Sequence, residues 1–275
     1  MSLKDFFRRE ASGMVPAWRK WEHALSFQGS HASNWIARLA EVRPGMQVLD
    51  VASGIGDPSI HLAEQVGSAG RVVATDLVPE ALEFVSRRAR EQAFSWLSTT
   101  LAEMESLPFE SGTFDAVTCR LGLMFAEDPV AALVEMRRVL KPGGRAALLA
   151  WGTPHQPLFA STLGVIAEVT ASEAPVGRAF RFQQRGTLET ALRDAGFREA
   201  SEESRTLPWP FEGTGASMWT MFRELAGPTF NEELGALGAH TRASLDARVS
   251  QRLEAFRRGS VIDPTAAFVG GFGVA

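Results

Sequence analysis

The sequence is short of several residue types, and each shortage excludes a class of function. Only one of the 275 residues is a cysteine, Cys119, so an internal disulfide is excluded and a reducing compartment is indicated. Cys119 lies in an apolar run, where a buried, inert thiol is expected. Tyrosine is absent, so no phenol side chain can serve as an acid, a base or a hydrogen-bond donor.

Long apolar runs and a surplus of basic residues are also missing. No apolar run approaches the ~18 residues of a membrane span, and the N-terminus, MSLKDFFRRE, lacks the apolar core of a signal peptide. The 28 basic and 32 acidic side chains give a net charge of -4, which disfavours a nucleic acid partner. These features predict a cytoplasmic globular protein with no membrane span and no nucleic acid partner.

A glycine-rich turn organises the remaining pattern. Residues 48–59 read VLDVASGIGDPS, an apolar run followed by Gly54 and Gly56 and then by a segment that can start a helix. Glycine tolerates positive φ and lets the backbone approach a ligand, and a helix N-terminus offers free N–H groups. Asp76 ends the next apolar run, RVVAT, where its carboxylate can accept hydrogen bonds from a ribose diol. The turn is therefore a candidate nucleotide-cofactor site.

Strands and helices alternate from Val48 to Trp151, which predicts a doubly wound α/β fold with a mostly parallel sheet. The predicted strands are 47–51, 71–75, 96–101, 114–120 and 145–151, and the predicted helices between them are 58–66, 79–93 and 128–140. Beyond Trp151 we predict helices at 158–170, 186–195, 216–225 and 239–257, and strands at 198–209 and 266–274. Ser33 is predicted to cap a helix that runs to about Glu41.

Two cofactors fit a strand–turn–helix of this kind. The dinucleotide fingerprint G-x-G-x-x-G fails here, because Pro58 or Ile60 stands where the third glycine belongs. The segment Asp50-x-x-x-Gly54-x-Gly56 instead places an acid at the strand end, which suits a cationic methionine end and would repel a pyrophosphate. A nicotinamide oxidoreductase therefore remains only an alternative.

Several further stretches agree with one family in order and spacing. They are VVATDL around Asp76, LAEMESLPF around Glu103, CRLGLMFAEDP from Cys119, and RVLKPGG from Arg138 to Gly144. Together with VLDVASGIGD they resemble the class I S-adenosylmethionine-dependent methyltransferases, in the branch of the ubiquinone/menaquinone C-methyltransferases, over about residues 34–152. In that family a glycine usually stands where Ala52 does, and an aspartate usually stands where Glu103 does.

The resemblance implies a Rossmann-like fold with a seven-stranded sheet, an N-terminal helical lid and helical insertions in the C-terminal half. The domain would be single, with a lid at 1–45, a cofactor core at 46–152 and substrate-pocket insertions with the last strands at 153–275. It also implies S-adenosyl-L-methionine as cofactor and S-adenosyl-L-homocysteine as product.

The resemblance assigns a role to each cofactor-site residue. Four residues of the turn would line the methionine end: Asp50, Ala52, Gly54 and Gly56. Asp76 would bind the ribose hydroxyls and Leu77 would pack beside the adenine. Glu103 and the Met104 N–H would bind the adenine edge, and the Arg120 backbone carbonyl would hold the methionine amino group. Arg138 and Lys141, at a helix C-terminus, are expected to be structural.

A protein base is not obligatory for methyl transfer, because the methyl group is already activated. His31, just before the predicted Ser33 helix, and His155, after the fifth strand, are the candidate catalytic residues; His23, His61 and His240 are weaker ones. We find no cluster of metal ligands with suitable spacing. The substrate pocket is expected to draw on aromatic side chains, namely Trp18, Trp35, Phe125, Trp151, Phe159, Trp209 and Trp219.

The predicted function is in-line methyl transfer to an O, N or C nucleophile of a small aromatic or apolar acceptor, a specialised metabolite. Two alternatives stay open: C-methylation of a quinone precursor, and a module that binds the cofactor without turnover. The expected partner is a small-molecule acceptor. The sequence leaves open whether the chain forms a homodimer.

Overall fold

The computed structural model describes residues 3–171 and 177–275 and divides into two compact units. The unit that holds the glycine turn comprises Gly29–Gly152, Arg178–Arg205 and Phe268–Ala275; we call it the sheet unit. The helical unit comprises Met1–Gln28, Thr153–Gly177 and Thr206–Ala267. Among the described residues, no helix combines the length and apolarity needed to cross a membrane.

The sheet unit is built on a seven-stranded sheet in the order β3-β2-β1-β4-β5-β10-β6. Its strands are β1 (Gln47–Val51), β2 (Arg71–Asp76), β3 (Leu97–Leu101), β4 (Phe114–Arg120), β5 (Leu140–Trp151), β6 (Arg198–Leu207) and β10 (Ala266–Val274). Strands β1 to β5 pair in parallel, and β10 pairs antiparallel with β5. The predicted α/β fold with a mostly parallel sheet is confirmed.

Helices connect the parallel strands as the alternation predicts: α2 (Ser59–Val66), α3 (Pro79–Glu91) and α4 (Pro129–Val139), with α7 (Thr187–Asp194) before β6. The apolar faces of α4 and α7 are buried with the strands, in a core that includes Leu49, Val117 and Leu133. Helices α2 and α3 also bury apolar side chains. Because β1, β2, β3 and β4 run in the same direction, their carboxyl ends meet at one edge of the sheet. The glycine turn and the segments after β2, β3 and β4 all start there.

The glycine-rich last strand is explained by its neighbours. A Cβ on Gly270 would lie 2.6 Å from the Trp35 ring, and a Cβ on Gly271 would lie 2.8 Å from Leu188. Side chains at these positions would displace the groups packed on the sheet, so the glycines leave room for a tryptophan and a leucine.

The helical unit contains α5 (Pro157–Ala160), α6 (Leu163–Thr170), α8 (Gly215–Leu225), α9 (Pro228–Gly235) and α10 (Ala239–Glu254). A small sheet in the order β7-β9-β8 joins Phe211–Glu212, Val261–Ile262 and Arg257–Arg258. Aromatic packing is dense here, since the Phe222 ring lies 5.7 Å from the Trp219 ring and 6.2 Å from those of Phe159 and Phe230.

Two sequence predictions about helices are wrong, and one helix was missed. The first helix, α1, runs without a break from Leu3 to Leu39, so Ser33 lies inside it and caps nothing. The helix predicted at 158–170 is broken between α5 and α6, and α9 was not predicted at all. Two boundaries also moved, because β5 begins at Leu140, within the stretch expected to end α4, and β6 ends at Leu207 instead of Trp209.

Candidate active site

The turn after β1 has positive φ values at three of its residues. Ala52, Gly54 and Gly56 have φ values of 56°, 53° and 101°, a region that glycine enters without strain and alanine does not. The Ser53 N–H donates to the Thr75 carbonyl at 2.9 Å, which ties the turn to β2. A Cβ on Gly54 would find nothing within 4 Å. The backbone at Gly54 therefore faces open space that a ligand can occupy.

Asp50 lies beneath this turn and is fully buried. Its carboxylate accepts hydrogen bonds from the Ser59 hydroxyl at 2.5 Å and the Thr118 hydroxyl at 2.8 Å. Burial raises the pKa of Asp50 to about 6, although both hydroxyls and the nearby Arg120 charge act in the opposite direction. Asp50 therefore joins β1, α2 and β4 and holds the strand end under the turn.

Asp76 is the acid at the end of β2, and it is half-buried. One carboxylate oxygen accepts from the Gly54 N–H at 2.8 Å and the other from the Val78 N–H at 3.0 Å. Burial raises the pKa of this carboxyl, while its backbone hydrogen bonds lower it. Each oxygen retains a lone pair for a further donor, so the geometry is compatible with the predicted contact to a ribose diol. Leu77 beside it is half-buried.

The loop after β3 carries Glu103 and Met104, both half-buried. It turns back at Ser106, whose N–H donates to the Glu103 carbonyl at 3.0 Å. Helix α4 fixes its far end: Glu135 accepts from the Leu107 N–H at 2.9 Å, and Arg138 donates to the Leu107 carbonyl. Arg138 also forms an ion pair with Glu135. These contacts agree with the structural role expected of Arg138.

A second arginine braces the turn from α3, and the sequence analysis missed it. Arg88 is buried, donates to the Ile55 carbonyl at 2.9 Å and pairs with Asp57 at 3.3 Å. Helical spacing was the available signal, because Arg88 lies four residues after Phe84 and three after Val85, on the buried face of α3. Its contact with Ile55, 33 residues away in sequence, is visible only in the fold.

Ser59 and Thr118, the two hydroxyl partners of Asp50, were also missed. Thr118 is the direct neighbour of Asp50 in the register of β1 and β4. That register follows only when β4 is known to lie beside β1, so the strand order is the signal that would have identified this partner.

The segment after β4 packs against the turn through small residues. A Cβ on Gly122 would lie 2.4 Å from the Ala52 Cβ. Arg120, at the end of β4, is half-buried and donates through Nη1 to the Gly29 carbonyl at 3.2 Å. The structure therefore brings Ala52, Arg120 and Gly122 together beside the glycine turn.

The two candidate catalytic histidines are exposed. His31 lies within α1 and not in a loop before a helix, which corrects its predicted setting. His155 lies in the turn before α5, where its backbone N–H donates to the Thr153 hydroxyl. No cluster of three or more potential metal ligands occurs among the residues that the structure describes. The catalytic roles of both histidines stay predictions.

The predicted substrate-pocket aromatics divide between the two units. Trp35, Phe125 and Trp151 belong to the sheet unit, whereas the helical unit contains Trp18, Phe159, Trp209 and Trp219. Two of them are only 1% exposed and satisfy their indole N–H within their own unit: Trp35 donates to Glu203 and Trp219 donates to Asp246. These contacts are typical of core residues, and the substrate contacts predicted for the set remain untested.

Comparison with known proteins decides the family. The sequence profile described as the ubiE/COQ5 methyltransferase family matches residues 19–208. The chain belongs to the ubiE/COQ5 methyltransferase family. The predicted resemblance to class I S-adenosylmethionine-dependent methyltransferases of the ubiquinone/menaquinone branch is thereby confirmed.

Individual relatives agree with this assignment. The ubiquinone/menaquinone biosynthesis C-methyltransferase UbiE of Shewanella frigidimarina is 38% identical over 122 residues, which cover 44% of this chain and 49% of the relative. The demethylmenaquinone methyltransferase of Lactococcus lactis is 32% identical, with 56% of this chain and 66% of the relative covered. The chain thus spans about half to two thirds of these curated relatives. The crystal structure of the YcgJ protein of Bacillus subtilis shares the fold, with a TM-score of 0.58 at 19% identity and coverage of 89% and 98%.

Proposed function

We propose that this chain transfers the methyl group of S-adenosylmethionine to a ring carbon of a quinone precursor. The main support is the geometry at one edge of the sheet, inside the segment that matches the family. There the Gly54 backbone faces open space, and its N–H donates to the carboxylate of Asp76. The quinone-precursor acceptor is supported by what the relatives are named to do, and we prefer it to the specialised-metabolite acceptor of the sequence analysis.

The residues at this edge fit the cofactor chemically. Asp76 offers two acceptor oxygens for ribose hydroxyls, and Glu103 and the Met104 N–H offer an acceptor and a donor for the adenine edge. The Ser53 hydroxyl is buried without a hydrogen-bond partner among the described residues, and a buried unpaired donor is costly unless a ligand uses it. When bound, S-adenosylmethionine supplies a methyl group on a positively charged sulfur.

Transfer in this scheme forms a bond from the acceptor carbon to the methyl carbon and breaks the bond from sulfur to that methyl. S-adenosylhomocysteine leaves, and the ring carbon gives up its proton. The chain mainly has to hold both partners in line and exclude water, which can lower the barrier by about 7–11 kcal/mol. His31 and His155 remain proposed bases for this proton.

The first test separates cofactor binding from turnover. Wild-type chain, Asp76→Ala and Asp115→Asn are titrated with S-adenosylhomocysteine by calorimetry. Asp115 is the matched control, because it lies near the opposite end of β4 and accepts from the Gln47 N–H and Lys141. We expect micromolar binding to the wild type and the control and a large loss in Asp76→Ala. Absence of binding to the wild type would refute the function.

The second test identifies the acceptor. Methyl-labelled S-adenosylmethionine is incubated with demethylated quinols, with phenols and with amines, and products are located by mass spectrometry. Labelled ring carbon supports the proposal. Labelled oxygen or nitrogen would favour a specialised-metabolite acceptor, a candidate supported by the residues from 209 onward, which lie outside the family match and form α8 to α10. Binding without turnover of any acceptor would leave a cofactor-binding module.

A further inference from the structure

The guanidinium of Arg120, at the edge of the sheet, has a buried N–H donor whose hydrogen bonding the fold does not explain. Its Nη1 donates to the Gly29 carbonyl at 3.2 Å, but its Nε is buried and has no hydrogen-bond partner within the described chain. The charges of Asp57 and Asp50 act on this guanidinium, but no described carboxylate accepts a hydrogen bond from its Nε. A buried donor without an acceptor is unfavourable. The cost is accounted for if a ligand brings an anionic acceptor.

The surrounding backbone reserves space for this side chain. A Cβ on Gly29 would lie 2.3 Å from Arg120 Nη1, so the guanidinium occupies the space that a side chain at this position of α1 would take. Ser33 lies one turn further along α1, on the same side of the helix as Gly29. Its hydroxyl is buried and unpartnered too, although a helical serine usually bonds the carbonyl four residues earlier. Two unused donors therefore lie close to the same helical turn.

The strand register places Arg120 at the methionine end of the proposed cofactor site. Thr118 pairs with Asp50, and Arg120 is two residues further along β4, on the same face of the sheet. It therefore ends level with Ala52, the first residue of the turn. Burial lowers the pKa of Arg120, and the charges of Asp57 and Asp50 oppose that shift. A carboxyl group and a guanidinium therefore lie on the same side of the turn.

We propose that Arg120, assisted by the Ser33 hydroxyl, binds the α-carboxylate of the methionine portion of the cofactor. A guanidinium is suited to a carboxylate because its planar donors match the two oxygens. The methionine portion carries an ammonium beside this carboxylate, so Asp50 and Arg120 complement its two charges. This inference rests on the proposed function and adds a side-chain role to the backbone role expected of Arg120.

A pair of ligands tests the contact without any turnover. S-adenosylhomocysteine is compared with its decarboxylated analogue, which keeps the amine, by titration calorimetry. We expect the wild type to prefer the carboxylate ligand and Arg120→Met to lose about 10- to 100-fold in affinity for it, the usual effect of a hydrogen bond to a charged group. Affinity for the analogue should be unchanged. Ser33→Ala, a mild change, should lose about 3- to 10-fold for S-adenosylhomocysteine alone.

A control variant and two contrary outcomes separate a ligand contact from a structural role. Arg181 is also half-buried and donates to a backbone carbonyl, that of Ala126, so Arg181→Met should bind both ligands as the wild type does. Equal losses for both ligands in Arg120→Met, with no selective loss in Ser33→Ala, would assign these residues a structural role and overturn the inference. A wild type that binds neither ligand would refute the proposed function itself.

Discussion

Contact between Ala52 and Gly122 makes the effect of one substitution depend on the other. A Cβ on Gly122 would lie 2.4 Å from the Ala52 Cβ and 2.9 Å from the Cys119 sulfur, whereas ordinary contacts begin at 3.4 Å. Gly122 has a φ of -102°, which alanine adopts freely, so the cost of Gly122→Ala is purely steric. Overpacking of this kind costs about 1–3 kcal/mol, and we expect about 2 kcal/mol.

The Ala52→Gly background should remove much of that cost. It deletes the nearer of the two contacts and leaves the one to Cys119, so Gly122→Ala should cost about half as much there. Alone, Ala52→Gly removes the strain of an alanine in the left-handed region, which stabilises the folded chain by about 1–2 kcal/mol. It also adds backbone entropy to the unfolded chain, which opposes this gain by about 0.5–1 kcal/mol. Its stability should therefore stay within about 1 kcal/mol of wild type.

Guanidinium unfolding of the four variants measures the coupling free energy, which we expect to be at least about 1 kcal/mol. Gly164→Ala is the control for a glycine with room, because its Cβ would meet only the Phe159 carbonyl at 3.8 Å. It should not destabilise the chain, since alanine favours the helix. Additive effects of the two substitutions, with no coupling, would refute this packing argument.

Three further predictions concern single residues. Burial raises the pKa of Asp50 from 3.8 to about 6, so the cofactor-free chain should lose about 3 kcal/mol of stability from this group as pH rises through that interval. Cationic cofactor groups favour the ionised form, so affinity for S-adenosylmethionine should fall below about pH 6, and calorimetry across pH 5–8 measures it. Arg88→Met removes the ion pair with the half-buried Asp57 and the hydrogen bond to the Ile55 carbonyl, and should lower the unfolding free energy by about 3 kcal/mol; an unchanged guanidinium midpoint would contradict this. If either histidine is the proposed base, its alanine variant, His31→Ala or His155→Ala, should form about 10²–10⁴-fold less labelled product per minute. Rates close to wild type in both variants would remove the histidines from the scheme.

Local pattern predicted much of the fold. The bounds of β1, β4 and β10 coincide with the predictions at 47–51, 114–120 and 266–274, because continuous apolar runs between turn residues are typical of buried strands. Helix α9 was missed because Pro228 and the glycines around it indicate a loop, whereas the proline occupies the first turn, where no N–H is needed. Helix α1 continues through Ser33 because a cap residue alone does not end a helix.

The site was predicted less completely than the fold. Asp76 and the glycine turn were identifiable because a motif in sequence encodes one local backbone shape. Thr118 and Arg88 were not, since each touches the turn from another element through contacts that span dozens of residues. Such partners depend on which strands and helices lie side by side, which local periodicity does not specify.

The hydrogen bonds between α4 and the loop after β3 should affect how this loop opens. The Leu107 amide is in a loop, yet its N–H donates to the Glu135 side chain of α4. Arg138 of the same helix donates to the carbonyls of Leu107 and Phe109. Hydrogen exchange at this amide should therefore require the departure of Glu135, so its protection should follow that of α4 and not that of neighbouring loop amides. The segment that we propose to face the adenine would then open on the timescale of α4, which would tie the rate of cofactor entry to the opening of this helix.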